Sequence, residues 1–508
     1  MIGGLSKLNR YLLAGSAAIG LLIAGGPGAQ AQDLQAIQAQ INSMQATIKA
    51  LERQVEDAKA QAAAAKTAAS EAGKSDLDLK VKWRGAPEFS NGDGNFKAKV
   101  RGRLHVDYNA IDKDEAITGR PDVSAAEIRR ARLGVEGVLW YDVKYIVEVD
   151  FANDAVSLKD AYAEYTGLAK DLGLRVGNFK TFNSLDQLNS SNYRTFQETP
   201  AFVEAYTIDR QIGAGAIYAK DHYTLSAGIF GPLSSNDERW LEDVKTGSAR
   251  VTVAPINSDV NGVHQVVHLG ASWRYRDQAE HLRSGSSGPD GGVNNPLNDQ
   301  LFQYRARGSD LHLADRFVST LAIFDQDTFL GLEALVIWKS LHVQAEYTQL
   351  EAKISPLFQG SDPTYTGWYV DAGWFITGET LEYNKGVFAR PKVKNPVVWS
   401  KGGGWGAWQI AGRYDVVDLT DKATTIQGSP VTLNGVGPVT NNCQFCGEQS
   451  TWIVGVNWWL NDYSRIQFQY GESDIEGGNV ALAGNTAGYN RNDGATIKGF
   501  GTRFQVDW

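Results

Sequence analysis

Apolar and polar residues alternate with a period of two along most of the chain, most clearly over Asn95 to Ala110. Phe96, Ala98, Val100, Gly102, Leu104, Val106 and Tyr108 share one parity, and Lys97, Lys99, Arg101, Arg103, His105 and Asp107 share the other. Successive side chains of a β-strand point to opposite faces, so this strand has one apolar face and one face dominated by cations. The same alternation sets Val143, Tyr145, Val147 and Val149 against Lys144, Ile146, Glu148 and Asp150, and Leu172, Leu174 and Val176 against Gly173, Arg175 and Gly177. From Leu79 to Trp508 such runs, about ten residues each, are parted by turn clusters that are alternately short and long. Asn91-Gly92-Asp93-Gly94 is a hairpin signal, and Trp140-Tyr141-Asp142 and Asn461-Asp462 mark other tight connections. Long polar loops are expected at Ser234 to Lys245, Arg283 to Asp299, Thr420 to Ser450 and Gly471 to Asp493.

The period changes upstream. Leu34, Ile37, Ile41, Met44, Ile48, Leu51, Val55, Ala58, Ala62, Ala65 and Ala69 recur at alternating spacings of three and four, the seam of a coiled coil. The alternative is a single amphipathic helix docked on the β region that follows, and the seam residues suit a dimer as well as a trimer. Gly73 breaks the helix. Before it, Lys7 and Arg10 precede an apolar run from Tyr11 to Ala24 and an Ala29-Gln30-Ala31 cleavage site, the pattern of a secretory signal peptide. That run falls short of the roughly 20 residues a spanning helix needs. The expected organisation is a signal peptide over 1–31, a periplasmic coiled-coil segment over 32–72 and a β region over 73–508.

Composition then separates two readings of the two-faced strands. In a soluble sandwich the apolar face is core; in a transmembrane barrel it meets lipid while the polar face lines water. Gly (54) and the aromatics (14 Trp, 20 Tyr, 19 Phe) are abundant, and Cys and Met number 2 each. The mean hydropathy of −0.31 is compatible with a barrel, in which only alternate residues face lipid. The formal charge is −9, and removing Lys7 and Arg10 takes it to −11, so the basic strand means that charge is segregated. The final segment, Ala495 to Trp508, places Phe500, Thr502, Phe504, Val506 and Trp508 on one face and stops on an aromatic, which resembles the assembly signal of outer-membrane proteins. The fold class is therefore all-β, a transmembrane antiparallel barrel preceded by a short coiled-coil helix.

Several segments, in order, resemble the phosphate-selective porin O and P family: I-R-R-A-R-L-G-V-E-G (Ile128 to Gly137), L-K-D-A-Y-A-E-Y (Leu158 to Tyr165), L-R-V-G-N-F-K (Leu174 to Lys180) and S-L-D-Q-L-N-S-S-N-Y-R-T-F-Q-E (Ser184 to Glu198). Further segments are H-L-G-A-S-W-R-Y-R (His268 to Arg276), G-W-Y-V-D-A-G-W-F-I-T-G-E (Gly367 to Glu379), G-A-W-Q-I-A-G-R-Y-D-V-V-D-L (Gly406 to Leu419) and V-G-V-N-W-W-L-N (Val454 to Asn461). The resemblance implies an outer-membrane barrel of about 16 strands, a homotrimer in contact with lipid and lipopolysaccharide, and no cofactor. It also implies a loop within Phe179 to Glu204 that follows a strand ending at Gly177 and narrows the pore, and a ladder of arginines and lysines leading to an anion-selecting constriction.

A solute entering a narrow pore loses part of its hydration shell, and fixed cations compensate an anion for that loss. Arginine suits the task because its planar fork binds oxyanions bidentately and stays charged. By parity Lys97, Lys99, Arg101 and Arg103 face the lumen, since each would cost about 2–4 kcal/mol on the lipid face near the midplane; the alternative is a basic rim against lipopolysaccharide. Arg129, Arg130 and Arg132 match the family's arginine cluster. Parity with Leu133 and Val135 sends Arg130 and Arg132 inward but Arg129 outward unless a bulge intervenes. Arg175 sits inward by parity with Gly173 and Gly177. From the resemblance, Asp160 aligns with an acidic constriction residue and Lys180 begins the inserted loop. Phosphate-binding members carry a lysine where this chain has Gln187; the next candidate position, after Ser190-Ser191, is Asn192, and Arg194 two residues on could substitute. The expected solutes are small anions such as phosphate.

Cys443 and Cys446 form C-Q-F-C in an expected outer loop. With no second pair and no βαβ context, a local disulfide is favoured over a redox or zinc site. No H-E-x-x-H, G-x-S-x-G or P-loop spacing occurs, so no catalytic constellation, metal site or nucleic-acid-binding pattern is expected. Two rivals stay open: a sugar or general solute channel in which Trp368, Trp374 and Trp408 form a track, and a structural tether that uses the heptad segment.

Overall fold

The computed structural model describes residues 30–72, 79–83, 85–114, 121–231, 245–260, 263–277, 301–320, 323–355, 360–422, 447–477 and 494–508. Two compact units divide the chain at Asp78/Leu79. In the first, one helix runs Gln30–Ala72, 43 residues. Ile41, Ile48, Leu51 and Val55 on its heptad seam are 40 to 55% exposed. The expected signal peptide falls almost wholly on residues 1–29, outside the described residues, as do Cys443 and Cys446.

The second unit is a closed antiparallel barrel of 16 strands. Its last strand, Ala495–Asp507, pairs with its first, Phe96–Lys113, from Ile497 opposite Lys113 to Asp507 opposite Arg103. Two short strands, Lys80–Trp83 and Pro87–Ser90, extend the sheet beside the start of the first strand. The alternation read from sequence carries through. Leu133, Val147, Val176, Ile229 and Leu332 point outward and are 48 to 73% exposed, while Arg103, His105, Asp107 and Asn109 are buried on the lumen side. Trp368, Trp374 and Trp408 alternate with buried Tyr369, Phe375 and Ala407 and so lie on the outer face, where Trp408 stacks on Trp458 at 5.0 Å.

The strands run further than hydropathy suggested at two outer ends. Ser464–Glu476 continues through Gly471, with Glu472 opposite Lys498 and Asp474 opposite Thr496, and Glu448–Asn461 begins within the expected loop Thr420 to Ser450. Polar residues there alternate along a strand that rises beyond the apolar band, and polarity alone imitates a loop. The tips of these loops, and those of Ser234 to Lys245 and Arg283 to Asp299, fall outside the described residues.

Three segments fold against the lumen wall rather than one. Residues 181–209 carry short helices Leu185–Leu188 and Ala201–Tyr206. Residues 301–320 carry an antiparallel pair, Arg305–Arg307 with Arg316–Ser319. Residues 376–406 carry the hairpin Glu382–Asn384 with Val387–Ala389. Apolar side chains weld them to the wall: Phe202, Tyr206, Tyr304 and Phe317 pack with Phe324, Tyr365 and Tyr369, and Leu185, Leu381 and Phe388 pack with Ile337, Phe375 and Trp459. The packed core thus lies inside the barrel and leaves restricted polar space beside the loop.

Candidate functional site

The strand expected to end at Gly177 continues to Lys180, so the inserted loop spans 181–209 instead of lying within Phe179 to Glu204. Beside it is a cavity of about 470 Å³ lined by Arg101, Arg103, Arg129, Arg130, Arg132, Arg175, Lys180, Arg194 and Arg210, against the carboxylates of Asp160, Glu198, Glu204 and Asp209. Arg101 and Arg103 come from the first strand by simple alternation. Arg129 arrives by a different route. The register between the first and second strands slips between His105/Val106, with His105 opposite Arg130 and Val106 opposite Ile128. Arg129 is the extra residue of that bulge, and a bulge re-aims a side chain that parity would send outward.

Carboxylates hold most of these guanidinium groups. Glu148 accepts from Arg101 Nε at 3.2 Å, Arg103 Nη2 at 3.3 Å and Arg132 Nη1 at 3.2 Å. Arg101 also reaches Glu136 at 2.7 Å, and Arg132 donates from Nε to Asp150 at 2.7 Å. Arg175 donates to Glu164 at 2.9 Å and lies 4.1 Å over the Tyr162 ring. On the loop, Glu198 accepts from Arg129 Nε at 2.9 Å and Nη2 at 3.0 Å, from Arg130 Nη2 at 3.3 Å and from Arg503 at 2.7 Å. Burial alone would raise the Glu198 carboxyl, but Arg129, Arg130 and Arg503 outweigh it and hold it well below the usual carboxylate range. Asp209 is lowered in the same way, with Arg210 and Lys180 overcoming its burial.

The loop itself is pinned. Arg465 donates to the Arg194 carbonyl at 2.7 Å, Arg503 to that of Gln197 at 2.5 Å, Arg413 to that of Glu198 at 3.1 Å and Asn457 to that of Thr195 at 2.9 Å. Lys180 Nζ donates to the carbonyls of Gln187 at 2.6 Å and Asn189 at 3.0 Å, closing the end of helix Leu185–Leu188. Gln187 Nε2 donates to Asp209 at 2.7 Å, and Arg210 bridges Asp209 at 2.7 Å and Asp160 at 2.9 Å. Arg194 turns to its own loop, reaching the Asp186 carboxylate at 3.1 Å and the Asp186 carbonyl at 2.9 Å.

A family model described as "Phosphate-selective porin O and P" matches residues 98–508. The chain belongs to that porin family. It is 25% identical to Porin O of Pseudomonas aeruginosa over 77% of this chain and 86% of that protein, and 30% identical to an uncharacterized protein of Caulobacter vibrioides over 78% and 72%. Among solved structures it is similar to OmpT of Vibrio cholerae (TM-score 0.45, 11% identity, 82% of this chain and 98% of that one). It is also similar to an anion-selective porin from Comamonas acidovorans (TM-score 0.45, 10% identity, 80% and 99%). A porin of this family is a protein of the outer membrane, and the apolar outer face described above suits that setting.

Nine of the side chains singled out from sequence meet at the porin's cavity; Lys97 and Lys99 do not. Both keep the lumen parity but stand at the start of the first strand, before Arg101 and outside the cavity lining, with Lys97 at 3.3 Å from Glu88 and Lys99 opposite Glu88 in register. Sequence reading missed Arg210 and Arg503. For Arg503 the signal was present, because its neighbours Phe500, Thr502 and Phe504 already fixed the outward parity. It also missed the counter-charges: Glu148 and Asp150 share the inward parity of Lys144 and could have been set against the arginines. Nothing local marks Glu198, whose partners lie on strands 68 and 305 residues away in sequence. A second polar cavity of about 260 Å³, lined by Arg276, Arg305, Arg316 and Glu204, lies where residues 301–320 meet the inserted loop.

Proposed function

We propose that this porin forms a water-filled channel that prefers anions, with phosphate and related oxyanions as its candidate solutes. The observation that carries this reading is the cavity at the inserted loop, where nine cationic side chains face four carboxylates. Arginine forks already partnered by Glu148 and Glu198 offer an incoming oxyanion hydrogen bonds without holding it as tightly as unpaired cations would. Conduction needs such weak holding, since release must follow each binding step. Gln187 supplies no charge and is tied to Asp209, so general anion preference is better supported than phosphate specificity. The outward placement of Trp368, Trp374 and Trp408 removes the track on which the sugar reading rested. On this reading the mature chain works in the bacterial outer membrane as a homotrimer, after cleavage of residues 1–31. The exposed seam residues Ile41, Ile48, Leu51 and Val55 serve self-association of the 32–72 segment on the periplasmic side. Reversal potentials in planar bilayers under a KCl gradient test the central claim. Anion preference is the expected result, and cation preference overturns it.

A further inference from the structure

Glu148 and Glu198 each bind three arginines, yet they are built differently. Glu148 stands on the wall strand Val143–Asp150 and its side chain is fully buried, whereas Glu198 belongs to the inserted loop and its side chain is 14% exposed to the cavity. The site around Glu198 is assembled from distant parts: the bulge supplies Arg129 beside Arg130, and the last strand supplies Arg503. Arg503 keeps a second acid, Asp107, at 2.6 and 2.7 Å. Among the described residues, Glu198 is the one carboxylate paired with Arg129 and Arg130. The backbone does not need to move for the carboxylate to leave, because the carbonyls of Gln197 and Glu198 are tied to the wall by Arg503 and Arg413 independently of the side chain. Rotation about the side-chain bonds suffices. The carboxylate therefore sits where an oxyanion arriving from the cavity would find two bidentate forks.

We infer that Glu198 is a tethered counter-anion that occupies an oxyanion site formed by Arg129, Arg130 and Arg503, so that permeating oxyanions compete with it and its charge sets how tightly the channel holds them. This rests on the anion-channel reading above. The class of ligand is a small carboxylate or phosphate, and the exchange is a displacement of one anion by another with no bond made or broken.

The test is bilayer recording on the full-length porin and on Glu198→Gln, Glu198→Ala and Glu198→Asp. Glu198→Gln should raise the anion-to-cation permeability ratio several-fold and lower the phosphate concentration that half-blocks chloride current by about tenfold. Added acetate should restore the vacant carboxylate in Glu198→Ala, blocking chloride current saturably there and not in the wild type. Glu198→Asp, which keeps the charge on a shorter side chain, should shift permeability ratio and phosphate block much less than Glu198→Gln does. Unchanged permeability and phosphate block in Glu198→Gln, or the same change in Glu198→Asp, would overturn the inference in favour of a packing role. Failure of all three variants to assemble would make Glu198 a structural staple and overturn it as well. Cation preference in the wild type sinks the anion-channel reading itself, whereas anion preference that is insensitive to Glu198→Gln sinks only the present inference.

Discussion

The two sides of the inserted loop use the same chemistry for opposite ends. On the cavity side, Arg129 and Arg130 hold a carboxylate that water can still reach. On the wall side, Arg413 is fully buried between Asp310 at 3.2 Å and Asp371 at 3.4 Å, beside the rings of Phe196 and Tyr369. The acids differ accordingly. Glu198 is held ionised by its three arginines, while burial and the neighbouring Asp415 push the Asp310 carboxyl well above its ordinary value against the pull of Arg413. An arginine in this barrel is thus not a channel residue by virtue of its type. What decides is whether its partners leave a donor facing water.

The largest expected effect breaks the anchored side. Arg413→Met leaves buried Asp371 without its cation and buried Asp310 without its hydrogen-bond donor, and removing one partner of a buried ion pair costs about 3–5 kcal/mol. The temperature at which the folded band converts on heat-modified electrophoresis should fall sharply, and an unchanged value would contradict the anchoring role. Arg129→Gln on the cavity side should cost clearly less stability, because Glu198 keeps Arg130 and Arg503 as partners, while the anion-to-cation permeability ratio falls several-fold. A stability loss equal to that of Arg413→Met would erase the distinction between the two sides.

A third effect concerns pH. Asp310 keeps a proton in the fold that the unfolded chain releases near its ordinary pKa of about 4. Stability therefore falls as pH rises from that value through the raised folded pKa. Glu198 has the opposite sign: its depressed folded pKa contributes stability that is present above the unfolded pKa and lost as pH falls toward the folded one. Between pH 5 and 7 the stability of the wild type relative to Asp310→Asn should decline as pH rises, with selectivity unchanged across that interval because Glu198 stays charged. A slope identical in the two proteins would count against the Asp310 assignment.

The smallest effect sharpens the site. Gln187→Lys would place its ammonium beside Asp209, where Gln187 already hydrogen-bonds, so phosphate block should strengthen only slightly. Adding Asp209→Asn should enlarge the gain. If the single and double variants block alike, Asp209 does not neutralise that position.

Much of this was legible from a two-residue period. Alternation placed Arg101, Arg103, Arg130, Arg132 and Arg175 on the lumen face because a barrel wall has only two sides. It failed at Arg129, since a bulge shifts parity by one residue and leaves no mark in hydropathy. It also failed for the segments 301–320 and 376–406, which fold back into the lumen through scattered contacts such as Tyr383 with His268 at 2.8 Å and the Phe388 amide with Asn189 at 2.8 Å. Those contacts have no period. The role of Arg194 was illegible for a related reason: a charge in the right loop said nothing about Asp186 claiming it.

Closure of the sheet has a consequence for biogenesis. Arg503 meets Asp107 across 396 residues of chain, and Trp508 exchanges backbone hydrogen bonds with Gly102 at the same seam. The oxyanion site takes Arg129 and Arg130 from one flank of that seam and Arg503 from the other. No partly inserted sheet, however many strands it has paired, contains the site. On the anion-channel reading proposed above, the barrel acquires that oxyanion site only in the step that shuts it.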